Sequence, residues 1–120
     1  MSSKKILICD DEPGMRESFK LILGEQYDLI LTENGQQCLE CLKNNTDVKL
    51  VLLDIKIPQA HGLDILQTIK QQFPQINVIM VTGYQSVEMA SEASRRGADG
   101  YIIKPFKSSD ILEAVEKRMK

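Results

Sequence analysis

The chain has no tryptophan, a single histidine (His61) and no long hydrophobic run. No apolar stretch approaches the ~20 residues that a membrane-spanning helix requires, so the sequence does not indicate a membrane protein. The segment Met1–Lys5 lacks the apolar region of a secretory signal peptide. We therefore expect a cytoplasmic protein that does not contact a membrane.

Cysteine is also scarce, with three residues in the chain. Cys9 lies within an apolar run, where a free thiol behaves as a small hydrophobic side chain. Cys38 and Cys41 form one CxxC pair in the middle of a predicted helix, without the second pair that a zinc site of this type needs. The cysteines are therefore expected to pack in the core.

An excess of positive charge is the third absence, since 15 Lys and Arg residues face 17 Asp and Glu residues. A domain that binds nucleic acid usually carries a basic patch, so we expect no direct nucleic-acid binding. The 120 residues, 42% of them hydrophobic, are typical of one globular domain with its own core. The sequence therefore predicts one domain over residues 1–120.

Five short apolar runs alternate with segments of helical periodicity. The runs lie at residues 6–9, 29–31, 50–53, 78–81 and 101–103. Runs without polar alternation are typical of parallel strands that helices cover on both faces. Right-handed crossovers then favour a doubly wound topology. The predicted fold is α/β, a single doubly wound (βα)5 domain with a five-stranded parallel sheet.

Reactive polar side chains follow four of these runs, at the sheet edge where open α/β folds bind ligands. They are Asp10 and Asp11 after the first run, Asp54 after the third, Thr82 after the fourth and Lys104 after the fifth. Two carboxylates ~4 Å apart repel each other by about 4 kcal/mol at an effective dielectric near 20. A divalent cation removes this repulsion, and ligands that are all oxygen favour Mg²⁺ or another hard cation.

The same residues are suited to phosphoryl transfer onto a carboxylate. Asp54 can serve as the nucleophile, because carboxylates form aspartyl phosphates. Thr82 offers a hydroxyl donor and Lys104 a cation for the other phosphoryl oxygens. Each residue alone also has a structural interpretation, since Asp11 could cap a helix and Lys104 could be a solvated loop residue. Their joint position at one edge favours the functional interpretation.

Along its whole length the chain resembles receiver domains of two-component response regulators. The matching stretches are ILICDDE at 6–12, LLDIKIPQAHG at 52–62, VTGY at 81–84 and GADGYIIKPF at 97–106. The resemblance implies a flavodoxin-like sheet with strand order 2-1-3-4-5. It also implies that Asp54 is the phosphoacceptor.

By the same resemblance, Mg²⁺ is the cofactor, and its ligands are Asp10, Asp11, Asp54 and the backbone carbonyl of Lys56. Thr82 and Lys104 are expected to contact the phosphoryl group, with a cis peptide bond between Lys104 and Pro105. No other cofactor is expected.

Phosphorylation is then expected to draw Thr82 inward, so that Tyr101 turns from an exposed to a buried position. This change would alter the surface of the fourth helix, fifth strand and fifth helix. The domain would be a signalling switch rather than an enzyme, because it catalyses only its own phosphorylation and autodephosphorylation.

The expected partners are a sensor histidine kinase or histidine phosphotransferase, and an output domain or downstream protein. A phosphorylation-dependent homodimer is a further expectation. Two contexts stay open, a stand-alone phosphorelay shuttle and a receiver from a larger transcriptional regulator or hybrid kinase. The sequence identifies neither the kinase nor the output, nor does it give the phosphoryl lifetime.

Three residues depart from common receiver patterns or vary within the family. His61 occupies a position where many receivers have an acid, and we expect it at the surface, outside the phosphorylation pocket. Lys56 and Tyr84 lie two places after Asp54 and Thr82, at positions that tune the phosphoryl lifetime in this family. Tyr84 is expected to shield the phosphoryl group from water.

Overall fold

The computed structural model describes residues 4–119, so both ends of the predicted domain, residues 1–3 and 120, lie outside the described part. The strands are β1 (Lys5–Cys9), β2 (Asp28–Thr32), β3 (Val48–Leu53), β4 (Lys56–Ile57), β5 (Ala60–His61), β6 (Asn77–Thr82) and β7 (Gly100–Ile103). The helices are α1 (Pro13–Leu23), α2 (Gly35–Asn44), α3 (Gly62–Gln72), α4 (Val87–Arg95) and α5 (Ser108–Met119). Within residues 4–119, no helix is long and apolar enough to cross a bilayer.

Five strands form one parallel sheet in the order β2-β1-β3-β6-β7. Because β6 and β7 are the fourth and fifth strands of this sheet, the predicted order 2-1-3-4-5 is confirmed. The parallel arrangement brings the carboxyl ends of β1, β3, β6 and β7 to one edge. This edge is where the sequence places the reactive side chains.

The sheet divides the apolar core into two clusters, because successive strand residues point to opposite faces. Leu7 and Val51 belong to the cluster that contains the buried residues of α2 and α3. Ile6 and Ile8 belong to the cluster that contains those of α1 and α5. Helix α4 contributes fewer buried residues to the core than the other helices, since Ala93 is its one fully buried residue.

The three cysteines pack as predicted from their sequence context. Cys9 and Cys38 are fully buried in the same core cluster, and Cys41 packs against it in a half-buried position. All three are free thiols. The CxxC pair therefore contributes to packing between α2 and the sheet.

The segment after Asp54, which the sequence pattern indicates to be a loop, contains a short hairpin. Residues 56–57 pair antiparallel with residues 60–61. Pro58 and Gln59 form the turn, and Gln59 has a φ of 62°. Proline favours the first central position of such a turn, whereas a positive φ at the second usually selects glycine or asparagine. The glutamine therefore gives no sequence signal for this hairpin.

Candidate functional site

Three carboxylates meet at the carboxyl edge of the sheet. Asp10 follows β1, Asp54 follows β3 and Glu12 directly precedes α1. One ligand oxygen from each residue lies within 4.8 Å of the others. Asp10 is 2% exposed and Asp54 5% exposed, while Glu12 is exposed. Strand pairing holds the two buried acids together, since the Asp54 N–H donates to the Cys9 carbonyl at 3.1 Å.

The ammonium group of Lys104 lies among these acids. Its Nζ donates to Asp10 Oδ2 and to Asp54 Oδ2, each at 2.8 Å, and lies 3.4 Å from Glu12 Oε1. The Lys104 N–H donates to the Thr82 carbonyl at 2.8 Å, which fixes the lysine at the end of β7. The peptide bond from Lys104 to Pro105 is cis, as predicted. The site thus contains a cation that offsets part of the repulsion among the carboxylates.

Burial and charge shift the pKa values of two of these groups. Burial raises the pKa of Asp10, and the hydrogen bonds from Lys104 and from the Glu12 N–H oppose this rise without cancelling it. For Lys104, burial acts to lower the pKa, but hydrogen bonds to Asp10 and Asp54 outweigh it and raise the pKa overall. Lys104 therefore remains protonated at neutral pH.

The acid cluster also fits a hard divalent cation, because its donors are all oxygen and two of them are nearly buried. Asp11 is exposed and is not among the three clustered acids, so its assignment as a ligand stays a prediction. Glu12 belongs to the same acidic run and takes the third place in the cluster. The Lys56 N–H lies 3.3 Å from Asp54 Oδ1, which places Lys56 beside the predicted acceptor.

The two predicted switch residues both contact Tyr84. Thr82 is 1% exposed at the end of β6, and its Oγ1 accepts a hydrogen bond from the Tyr84 N–H at 3.4 Å. Tyr101, expected to be exposed before phosphorylation, is half-buried instead. Its hydroxyl donates to the Tyr84 carbonyl at 2.9 Å. Burial, together with the negative charge of Asp54, raises the pKa of Tyr101. The loop after β6 therefore connects the two residues.

A cavity of about 350 Å³ opens at this edge and has seven lining residues. They are Glu12, Asp54, Lys56, Thr82, Gly83, Tyr84 and Lys104. The structure thus brings together the predicted phosphoacceptor and both predicted phosphoryl contacts. Tyr84, predicted as a shield, is 42% exposed at the rim.

His61 is exposed and does not line this cavity, as predicted. Its Nδ1 accepts a hydrogen bond from the Leu63 N–H at 3.2 Å, so the imidazole caps the amino end of α3. Histidine is not among the residues preferred at this position, which is why the sequence did not indicate a cap.

Gly62 fixes the course of the chain after the predicted phosphoacceptor. Its N–H donates to the Ile55 carbonyl at 2.7 Å. A Cβ atom at Gly62 would lie 2.3 Å from the Asp54 carbonyl oxygen and 2.5 Å from Ile55 Cα. No side chain fits there, so glycine is required for α3 to start directly against this segment.

Comparison with known proteins gives a consistent result. The family model described as a response regulator receiver domain matches residues 6–116. Response regulator protein PilR of Pseudomonas aeruginosa is 36% identical over 116 residues, which cover 96% of this chain and 26% of PilR. Sporulation initiation phosphotransferase F of Bacillus subtilis (strain 168) is 37% identical over 119 residues, covering 98% of this chain and 94% of that protein.

Among solved structures, a response regulator receiver domain protein (CheY-like) from Methanospirillum hungatei JF-1 superposes with a TM-score of 0.92. It is 35% identical in sequence, and the match covers 98% of this chain and 94% of that one. This likeness and the strand order confirm the predicted flavodoxin-like fold.

Proposed function

This chain belongs to the response regulator receiver domain family, and we propose that it is a signalling switch activated by phosphorylation of Asp54. The observation that carries the proposal is the environment of the Asp54 carboxylate. It is 5% exposed, lies 2.8 Å from the Lys104 ammonium and shares one cavity with Thr82. An attacking carboxylate, a cation and a hydroxyl donor thus line the same cavity.

In the proposed reaction, a phosphohistidine of a sensor histidine kinase or histidine phosphotransferase donates the phosphoryl group. A bond forms between an Asp54 carboxylate oxygen and phosphorus as the phosphorus–nitrogen bond breaks, and its electron pair stays on the histidine nitrogen. Lys104 offsets the negative charge on the phosphoryl oxygens, and Thr82 donates a hydrogen bond to one of them. Hydrolysis of the aspartyl phosphate by water resets the switch.

The groups that would hold Mg²⁺ are the carboxylates of Asp10 and Asp54, an acid of the Asp11–Glu12 pair and the backbone carbonyl of Lys56. When bound there, Mg²⁺ neutralises charge that develops on the phosphoryl oxygens. Support for this assignment comes from the clustering of Asp10, Glu12 and Asp54 oxygens within 4.8 Å of one another.

The proposed switch uses the contacts of Tyr84. A phosphoryl group on Asp54 attracts the Thr82 hydroxyl, which then gives up the Tyr84 N–H. The loop carrying the Tyr84 carbonyl moves, and Tyr101 loses its hydroxyl contact and turns from half-buried to buried. The surface of α4, β7 and α5 changes as a result, and a partner reads this change.

The proposed partners are the kinase or phosphotransferase that donates the phosphoryl group and an output domain or downstream protein that reads it. A homodimer formed on phosphorylation is part of the same proposal. The relatives support both contexts, since the chain spans 26% of PilR but 94% of the phosphotransferase. A stand-alone phosphorelay shuttle and a receiver of a larger transcriptional regulator or hybrid kinase are therefore both retained.

The test is intact-mass analysis after incubation with acetyl phosphate and Mg²⁺. We expect one added phosphoryl group on the wild type and none on Asp54→Asn. Asp28→Asn, an exposed aspartate at the far edge strand, is the matched control and should gain the group. Phosphorylation of the Asp54→Asn variant would show that another residue is the acceptor. A wild type that binds Mg²⁺ but gains no phosphoryl group would favour an interaction module that is not phosphorylated.

A further inference from the structure

We propose that Arg16 is a positioning residue for magnesium binding, because its guanidinium fixes the main chain of Asp10. The inference rests on the proposed function, since it concerns the same Mg²⁺ site. Arg16 lies in the first turns of α1 and does not line the cavity that contains Asp54. Its effect on the reaction would therefore pass through Asp10.

Two contacts hold the guanidinium between two loops. Arg16 Nη1 donates to the Asp10 carbonyl oxygen at 2.8 Å. Arg16 Nη2 forms an ion pair with Glu33 Oε1 at 3.6 Å, just after β2. The Arg16 side chain is 17% exposed and that of Glu33 is 59% exposed. A largely buried cation thus ties the loop after β1 to the loop after β2.

Arg16 completes a set of contacts that fixes Asp10 at its main chain as well as at its carboxylate. The Asp10 N–H donates to the Thr32 carbonyl at 3.1 Å. Asp10 Oδ1 accepts from the Glu12 N–H at 3.0 Å. With the carbonyl held by Arg16, the amide, the carbonyl and one carboxylate oxygen are all constrained. The remaining oxygen, Oδ2, is directed toward Lys104 in the acid cluster.

The charge of Arg16 and its hydrogen bond to Asp10 predict opposite effects on the affinity for Mg²⁺. A positive charge near the acids repels a divalent cation, so removal of the charge alone would tighten Mg²⁺ binding. Loss of a contact that orients a ligand instead weakens metal binding, typically by 10–100-fold. We expect the geometric effect to dominate, because the guanidinium is bonded directly to the residue that supplies the ligand.

The experiment measures Mg²⁺ affinity by calorimetry. The wild type, Arg16→Met and Arg16→Lys are each titrated with Mg²⁺ alone. Both Arg16 variants should bind Mg²⁺ about tenfold more weakly, because neither can make both contacts. Lys20→Met is the matched control, since Lys20 lies on the same helix and its ion pair with Glu17 is exposed; it should bind like the wild type. Circular dichroism verifies folding, and Arg16→Lys decides the question if Arg16→Met does not fold.

Phosphorylation kinetics give a second readout that a general loss of stability would not reproduce. With acetyl phosphate as donor, Arg16→Lys should need more Mg²⁺ for half-maximal rate while reaching the wild-type rate at saturation. Unchanged or tighter Mg²⁺ binding by both variants would overturn the role of Arg16. A lower maximal rate with an unchanged Mg²⁺ dependence would overturn it as well. A wild type that binds no Mg²⁺ would instead overturn the proposed metal site itself. Failure of the Arg16 role and failure of the metal site therefore give different results.

Discussion

The Tyr101 hydroxyl donates a hydrogen bond to the backbone carbonyl of Tyr84 at 2.9 Å. This bond joins β7 to the loop that follows β6, and the same loop bonds to Thr82 through the Tyr84 N–H. If this loop moves toward Asp54, either its hydrogen bond with Tyr101 breaks or the Tyr101 side chain moves with the loop. Main-chain atoms of Tyr84 thus link the aromatic ring on β7 to Thr82, which lines the same cavity as the proposed acceptor Asp54.

Replacement of Tyr101 by alanine should separate phosphorylation from its structural consequence. We expect Tyr101→Ala to accept a phosphoryl group in the same yield, because Tyr101 does not line the cavity. The phosphorylation-induced change in amide hydrogen exchange over α4 and β7 should be lost. Mass spectrometry measures both quantities on one sample. An exchange change as large as that of the wild type would show that this relay is wrong.

Tyr84→Ala should shorten the lifetime of the phosphorylated state several-fold, because the side chain at the cavity rim would no longer exclude water. The decay of the phosphorylated mass after removal of acetyl phosphate measures this lifetime. Val87→Ala is the control, since Val87 is 75% exposed and lies outside the cavity lining. Equal lifetimes for Tyr84→Ala and the wild type would remove the shielding role.

Asp10→Asn should raise the free energy of unfolding at pH 7. The pKa of Asp10 is raised because burial disfavours its charged form more than its hydrogen bonds favour it. A group of this kind stabilises the fold below its ordinary pKa and loses that contribution as the pH rises. The gain from asparagine should therefore shrink as the pH falls toward 3.8, the ordinary value. Urea unfolding at several pH values measures it, and a loss of stability at pH 7 would contradict the prediction.

The free energy of unfolding should fall at alkaline pH as Lys104 loses its proton. Its pKa is raised overall, although burial opposes the effect of the hydrogen bonds to Asp10 and Asp54. The contribution of Lys104 is thus fully present below 10.5, its ordinary pKa, and is lost as the pH rises through the higher value in the folded state. Urea unfolding above pH 10 should show a shallower pH dependence in Lys104→Met than in the wild type. The exposed Lys107, replaced by methionine, is the control, and equal slopes for Lys104→Met and the wild type would refute the prediction.

Much of the fold could be predicted because the strands are buried on both faces and are therefore apolar without interruption. Parallel strands also end at the same edge, so Asp10, Asp54, Thr82 and Lys104 could be placed together from their positions after the apolar runs. These positions follow from hydrophobic periodicity and the geometry of a parallel sheet, and they do not depend on the conformation of the loops.

The details that sequence did not reveal depend on loop conformation. The hairpin after Asp54 was missed because Gln59 adopts a positive φ without being glycine. Glu12 joins Asp10 and Asp54 in the acid cluster, and the sequence pattern alone does not show which of the neighbouring acids Asp11 and Glu12 faces this edge. The contact from Arg16 to Glu33 joins residues far apart in the chain, and no local pattern signals it.

Helix α4 contributes Ala93 as its one fully buried side chain. Moving this helix would expose Ala93 and the half-buried Met89, which packs against the same core cluster. The hydrophobic effect therefore resists its displacement less than that of a helix with several buried side chains. The other helices each bury two or more side chains. The sheet and the rest of the core can therefore remain intact if α4 is displaced, so the proposed switch does not require partial unfolding.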